Sequence, residues 1–416
     1  MKLDFGYGNG IQSVEVPERN LLGVLTANEM HHERGGADAV RYALDHPIGA
    51  PHISECVKPG QKIEIIASDI SRPVPSWEIL PELIRDLLAA GCSAEDITVV
   101  FALGSHRCHT EEERKHLAGE WVYQTVKCVD SDPNDCVHLG VTSAGTPIDI
   151  TRTVAEADVR ICTGNIEFHY FAGYSGGAKA LMPGVSTPAA IQANHSMMIE
   201  PTACAGRIEG NPIRKDIEEA AAVCGVDYIV NVVLDEHKHI VYAVAGDVTK
   251  AHRVGCEYLN QMYFKKIPQR ADIVLVSQGG APKDANLYQV QKALDNAKHA
   301  VKQGGTIILI GRCNEGFGSA IFEQWLRDAP TAPSLIERIH REFRLGGHKA
   351  AAIAMVLENA QIDLISDMDD DTVRSIFMNP KHSAQEAFDE AFARYGADAT
   401  VLAMPFGGAT LPSADK

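Results

Sequence analysis

The chain has 416 residues, 45% hydrophobic and 22% charged, with a formal net charge of −17. That length suits about two or three domains with real cores and no need of staples. The acidic balance excludes the clustered Lys and Arg of a nucleic-acid surface. The opening MKLDFGYGNGIQSVEVPE has no basic region followed by an apolar run. No apolar stretch of about 18 or more residues occurs. The ten cysteines are scattered without a C-x-x-C pair and read as reduced thiols. A cytoplasmic protein with no membrane or nucleic-acid partner is expected.

Strand-like and helix-like patterns alternate along the chain. KIEIIAS (residues 62–68) is a short apolar strand. Ile79, Leu80, Leu83, Ile84, Leu87 and Leu88 then recur at helical spacing, with Gly91 as a stop. DITVVFALG is the next strand and TEEERKHLAGE the next helix, capped by Thr110 with three Glu in its first turns. VRICTGN (residues 159–165) is a third buried strand. A second series opens near residue 270 with ADIVLVS, a helix over about residues 286–301, and GTIILIG. Helices over residues 349–359 and 384–394 and strands IDLIS and ATVLAMPF follow.

The β-α-β-α order predicts an α/β protein of two domains with mainly parallel sheets. KKIPQR breaks the pattern, placing a cofactor-binding domain at residues 1–267, a second α/β domain at 268–400 and a C-terminal tail at 401–416. Ligands of open α/β sheets collect at the C-terminal ends of strands. Asp69 and Arg72 follow the first strand, His106 the second, and His169 and Lys179 the third. Tyr288, Gln289 and Lys292 open the helix after the first strand of the second domain. An active site in the cleft between domains is the expectation.

Each group has a bland reading beside a chemical one. His106, between a strand and a capped helix, can exchange protons near neutral pH or sit at the surface. GNIEFHYFAGYSGGAKALMPG (residues 164–184) brings glycines, aromatics, His169 and Lys179 into one loop whose N–H groups can cradle a phosphate. It lacks the Gly-Lys-Ser/Thr of a Walker A loop. Its aromatics are out of place in a flexible connector. In STPAAIQANHSMM, Ser186 or Thr187 caps a helix with Pro188 in its first turn, and His195 lies near the end. His195 is then a metal ligand or a histidine favoured by the helix dipole. Arg72, before Pro73, suits an exposed turn or a fork for a carboxylate. Gln289 and Lys292 share one helix face.

Taken in order, D-x-S-R, G-S-H-R, G-N-I-E-x-H-Y-F-A-G-x-S-G-G-x-K, N-H and N-L-Y-Q-x-x-K resemble the lactate racemase family over roughly residues 65–360. That family uses a nickel-pincer nucleotide, a pyridinium-3,5-bisthiocarboxylic acid mononucleotide. The resemblance implies that Lys179 bonds covalently to this cofactor and that His195 ligates nickel beside two sulfurs and a ring carbon. It implies His106 and His169 as the general acid/base pair. Arg72, Lys292, Gln289 and Tyr288 fall around the substrate. Asp69, Tyr174, Ser175, Gly176 and Gly177 fall around the cofactor and its phosphate. The chemistry implied is inversion of a 2-hydroxy acid through hydride transfer and a planar 2-keto acid, with one base for each hand of substrate. Separate proteins make the cofactor and are expected as transient partners.

One departure stands out. Lactate-specific members place a tryptophan near the pocket in the second domain. Here the tryptophans are Trp77, Trp121 and Trp325, and the corresponding region reads RLGGHKAAAIA. His348 or Lys349 stands there, or both point into solvent. A substrate more polar than lactate is the resulting expectation. The competing reading is a zinc or manganese hydrolase built on His106, His109, His169 and His195, although no H-E-x-x-H spacing supports it. A third is a two-lobed binding protein without catalysis.

Overall fold

The computed structural model describes residues 1–414. Two compact units form: Met30–Gln261, and Met1–Glu29 together with Met262–Lys416. The protein is α/β with mainly parallel sheets, as the alternating pattern predicts.

In the unit Met30–Gln261, a six-stranded sheet runs in the order Ile240–Gly246, Tyr228–Leu234, Val159–Asn165, Ile63–Ser68, Ile97–Ala102, Lys127–Asp130. All neighbours are parallel except the first pair. Ile63, Ile65, Ile66 and Ala67 are fully buried, as expected of a strand covered on both faces. Helix Ser76–Ala89 lays Ile79, Leu80, Leu83, Ile84 and Leu87 onto this sheet's core. Helix Glu111–Ala118 starts with a capping box: Thr110 accepts from the Glu113 N–H, and the Glu113 side chain returns to the Thr110 N–H.

The other unit carries a wholly parallel sheet in the order Asn379–Lys381, Ala360–Ile365, Val301–Ile310, Ala271–Ser277, Val401–Met404, Leu21–Val24. Here the expected boundaries are corrected. Residues 1–29 leave the expected 1–267 domain, because Leu21–Val24 pairs with Val401–Met404. Of the expected 401–416 tail, residues 401–413 are not a tail, and 415–416 lie outside the described residues. Val401, Leu402, Ala403 and Met404 are fully buried inside the sheet, and Leu411–Ser413 pairs with Phe264–Lys266. A backbone this apolar must satisfy its N–H and C=O groups inside a sheet. Reading along the chain does not reveal that a segment nearly 380 residues away supplies the partner.

Candidate active site

In the unit Met30–Gln261 the expected residues gather where three adjacent strands end. Beyond Ile63–Ser68 lies Asp69, 4% exposed. Its Oδ2 is 2.9 Å from His106 Nδ1, and Oδ1 accepts from Ser71 Oγ at 3.0 Å. Burial opposes its ionisation, but the His106 and Ser71 bonds and the Arg72 charge outweigh it and hold the carboxyl below the usual range. A carboxylate can only accept, so His106 donates from Nδ1 and carries its lone pair on Nε2. Arg72 is exposed, with Nε 3.9 Å from Asp69 Oδ1.

His109 is placed differently from its neighbour. Its Nδ1 meets Asp130 Oδ1 at 2.7 Å, and its Nε2 accepts from the Ile70 N–H at 3.0 Å. Both ring nitrogens are committed, and the bond to Ile70 ties down the turn that carries Asp69 and Arg72.

The loop after Val159–Asn165 holds His169, Tyr174 and a single 3₁₀ turn, Gly177–Ala180, with Lys179 inside it. This backbone is held from beneath. Arg214, 1% exposed on helix Pro212–Cys224, donates to the carbonyls of Ala172 (3.2 Å), Tyr174 and Gly176 (3.5 Å). Asn231 Oδ1 takes the Gly177 N–H at 2.6 Å, and His252 Nε2 meets the Ser175 carbonyl at 2.8 Å. Gly177 adopts φ +60°, and a Cβ there would come within 3.0 Å of the His252 ring, so the position demands glycine. The Ser175 hydroxyl donates to the Asn165 carbonyl at 2.7 Å and the Tyr174 hydroxyl to Asn260 Oδ1 at 2.8 Å. Both hydroxyls therefore brace the loop.

Lys179 is half-buried, and desolvation followed by the Arg72 and Arg214 charges lowers its amine to about 7. His169 is pushed well below the ordinary imidazole range by burial, then by Lys179, Arg72, His195 and Arg214, and so is neutral near pH 7. Its Nδ1 accepts from the Ala172 N–H at 3.3 Å. Phe171 stands edge-on to both His169 and His195, with ring centroids at 4.4 and 4.7 Å, so one aromatic ring joins the two histidines. His195 closes helix Pro188–Ser196, capped by Thr187 as expected, and is 8% exposed. Its Nδ1 lies 3.0 Å from Asn194 Oδ1.

In the other unit, Tyr288, Gln289 and Lys292 lie on helix Leu287–Ala297, capped by Asn286. Lys292 is exposed and Gln289 half-buried. His348 and Lys349 do not point into solvent; they are 6% and 5% exposed. Lys349 Nζ donates to the Tyr288 carbonyl at 2.6 Å and lies 4.1 Å from the centroid of the Tyr288 ring. His348 stacks on Phe343 and accepts from the Gly346 N–H at 3.0 Å. Trp325 is fully buried against Gly347, where a Cβ would fall 2.4 Å from its ring.

Residues 7–206 match the lactate racemase N-terminal domain, and residues 266–411 the lactate racemase C-terminal domain. The lactate racemase of Lactiplantibacillus plantarum is 33% identical over 418 residues, covering 97% of this chain and 98% of that protein. The chain belongs to the lactate racemase family. A lactate racemase of Thermoanaerobacterium thermosaccharolyticum is 31% identical over 417 residues, covering 97% of both chains. The solved lactate racemase apoprotein from that organism superimposes with a TM-score of 0.89 at 30% identity, covering 99% of this chain and 100% of that one. A Thermotoga maritima protein at 19% identity and TM-score 0.65 shares the fold.

Membership of the lactate racemase family makes the protein an isomerase. Among the described residues, no group of three or more His, Cys, Asp or Glu is placed to hold a metal ion, and no helix is long and apolar enough to cross a membrane. The hydrolase alternative, which needs His109 as a ligand, loses that residue to Asp130 and Ile70. Sequence reading missed Arg214 and Asn231. Arg214 lies in the charged run IRKDIEE, which resembles a solvated helix face, and the Asn211-Pro212 cap was its only local signal.

Proposed function

We propose that this chain inverts the C2 hydroxyl centre of a small 2-hydroxy acid, with a nickel-pincer nucleotide joined to Lys179 and its nickel held by His195. The observation that carries this reading is the company Lys179 keeps: an amine lowered to about 7 in the same loop as a neutral His169. An amine partly free of its proton near pH 7 is nucleophilic towards an acyl carbon. A His195 that donates through Nδ1 keeps the Nε2 lone pair that a metal needs, and imidazole suits nickel. The donor set therefore fits the group.

When bound, the nucleotide supplies an electrophilic carbon that accepts and returns the substrate's C2 hydrogen with its electron pair, by way of a planar 2-keto acid. The chain's own residues do the rest. His106, held by Asp69, takes the hydroxyl proton at Nε2. His169, kept neutral by its surroundings, serves the opposite hand. Arg72 holds the carboxylate while the centre turns over. The backbone at Gly176 receives the cofactor phosphate, the Gly177 N–H being held by Asn231. The enzyme works in the cytoplasm and receives its cofactor from separate biosynthetic proteins.

The relatives carry the name lactate racemase, so lactate is one candidate substrate. Two buried polar residues, His348 and Lys349, favour a more polar 2-hydroxy acid, hydroxylated or dicarboxylic. Equal activity on lactate and polar acids, unchanged by His348→Ala, would remove that refinement. The reaction itself is tested with one enantiomer deuterated at C2, using protein produced alongside the cofactor-building enzymes. Deuterium kept in the inverted product supports the proposal. Complete exchange of that deuterium with solvent means simple deprotonation and contradicts it.

A further inference from the structure

A chain of buried hydrogen bonds runs from the back of the unit Met30–Gln261 to His195, and its direction is fixed at every link. The Thr146 N–H donates to Thr142 Oγ1 at 3.1 Å, so the Thr142 hydroxyl proton is available to Asp216 Oδ1, and those two atoms are bonded. Asp216 Oδ2 accepts from Asn194 Nδ2 at 2.8 Å. The same Nδ2 faces the Ile213 carbonyl at 3.4 Å. Both of its neighbours only accept, so the Asn194 amide has one permitted orientation, with Oδ1 towards His195 Nδ1 at 3.0 Å. An amide oxygen cannot donate. His195 therefore carries its proton on Nδ1 and its lone pair on Nε2.

Thr142, Asp216, Asn194 and His195 are 5%, 1%, 0% and 8% exposed, so water does not compete for these bonds.

We propose that Asp216 is a positioning residue for metal binding: acting through Asn194, it locks His195 in the one tautomer whose Nε2 can ligate the nickel. The inference rests on the reading of His195 as the nickel ligand. Asp216 bonds to Thr142 and Asn194 and reaches His195 only through the Asn194 amide. It sets which face of an amide His195 meets. Asp216→Asn preserves shape but supplies an NH2, which allows the Asn194 amide to turn over and present its own NH2 to His195. The imidazole must then accept at Nδ1, moving its proton to Nε2 and closing the ligating position.

The test uses the full chain labelled with ¹⁵N-histidine, in which protonated and bare ring nitrogens resonate apart. Comparison with His195→Gln identifies the His195 signals. Wild type is expected to show a protonated Nδ1 and a bare Nε2, and Asp216→Asn the reverse. Loaded Asp216→Asn protein is expected to retain nickel about 10- to 100-fold less tightly. The exchanged pair Asn194→Asp with Asp216→Asn again offers His195 a pure acceptor. It is expected to restore both readouts, which a general packing defect would not allow.

A protonated Nε2 in wild type, or an Asp216→Asn variant with unchanged tautomer and nickel retention, overturns the proposal. Failure of the underlying reading is distinguishable. If wild type takes up no nickel beside the cofactor-building enzymes while the tautomer responds as stated, the relay stands and the nickel assignment falls.

Discussion

Asp69 Oδ2 lies 2.9 Å from His106 Nδ1, and this buried carboxylate decides which nitrogen of His106 carries the ring proton. Asp69→Asn can offer its amide NH2 to the ring and so favour the wrong tautomer. The expected result is a fall in kcat of about 10²-fold or more, with KM changed only a few-fold. Steady-state rates for each enantiomer check it. An unchanged kcat would show that His106 needs no such partner.

Lys179 provides a pH signature. With its amine lowered to about 7, acylation of the cofactor-free chain at Lys179 should rise through pH 7, well before the exposed lysines react. Peptide mass spectrometry after brief acylation at a series of pH values reads this directly. The linkage has a definite sign. Lys179 is lowered in the folded chain relative to the unfolded one, so its burial costs stability below about 7, and that cost is relieved as pH rises towards 10.5. Lys179→Met should therefore stabilise the cofactor-free chain more at pH 6 than at pH 10.

His109 is expected to behave as a structural residue. His109→Ala leaves the Ile70 N–H and the Asp130 carboxylate without their partner and should cost about 1–3 kcal/mol. Thermal unfolding measures that loss, and the metal content of the loaded protein should not change. Loss of metal with unaltered stability would revive His109 as a ligand.

Arg214 holds the carbonyls of Ala172, Tyr174 and Gly176 with a buried guanidinium that burial lowers to about 10. Arg214→Met should remove the guanidinium donors from those carbonyls, of which Ala172 and Gly176 keep the Tyr174 and Lys179 N–H groups, and should cost about 1–3 kcal/mol in all. Faster hydrogen exchange confined first to residues 168–180 is the expected readout. Protection equal to wild type would show that the loop holds itself.

Much of this site was legible because its local signals are strong. Thr110 with Glu113, and Thr187 with Pro188, mark their helices as the structure has them. His106, His169 and Lys179 follow strands whose apolar runs are plain. What was not legible depends on distant partners. Leu21–Val24 completes the edge of a sheet formed by residues from 271 onward. Arg214 and Asp216 sit in a charged helix whose inward face is set by a loop 42 residues earlier and a turn 74 residues earlier. The burial of His348 and Lys349 reflects packing on Phe343 and Tyr288, which spacing alone does not specify.

The most direct test of the account is intact-protein and peptide mass spectrometry with nickel analysis, on protein made beside the cofactor-building enzymes. A nucleotide-sized adduct on Lys179 with about one nickel per chain is the predicted result. No adduct and no nickel, under conditions that load a known lactate racemase, would contradict it.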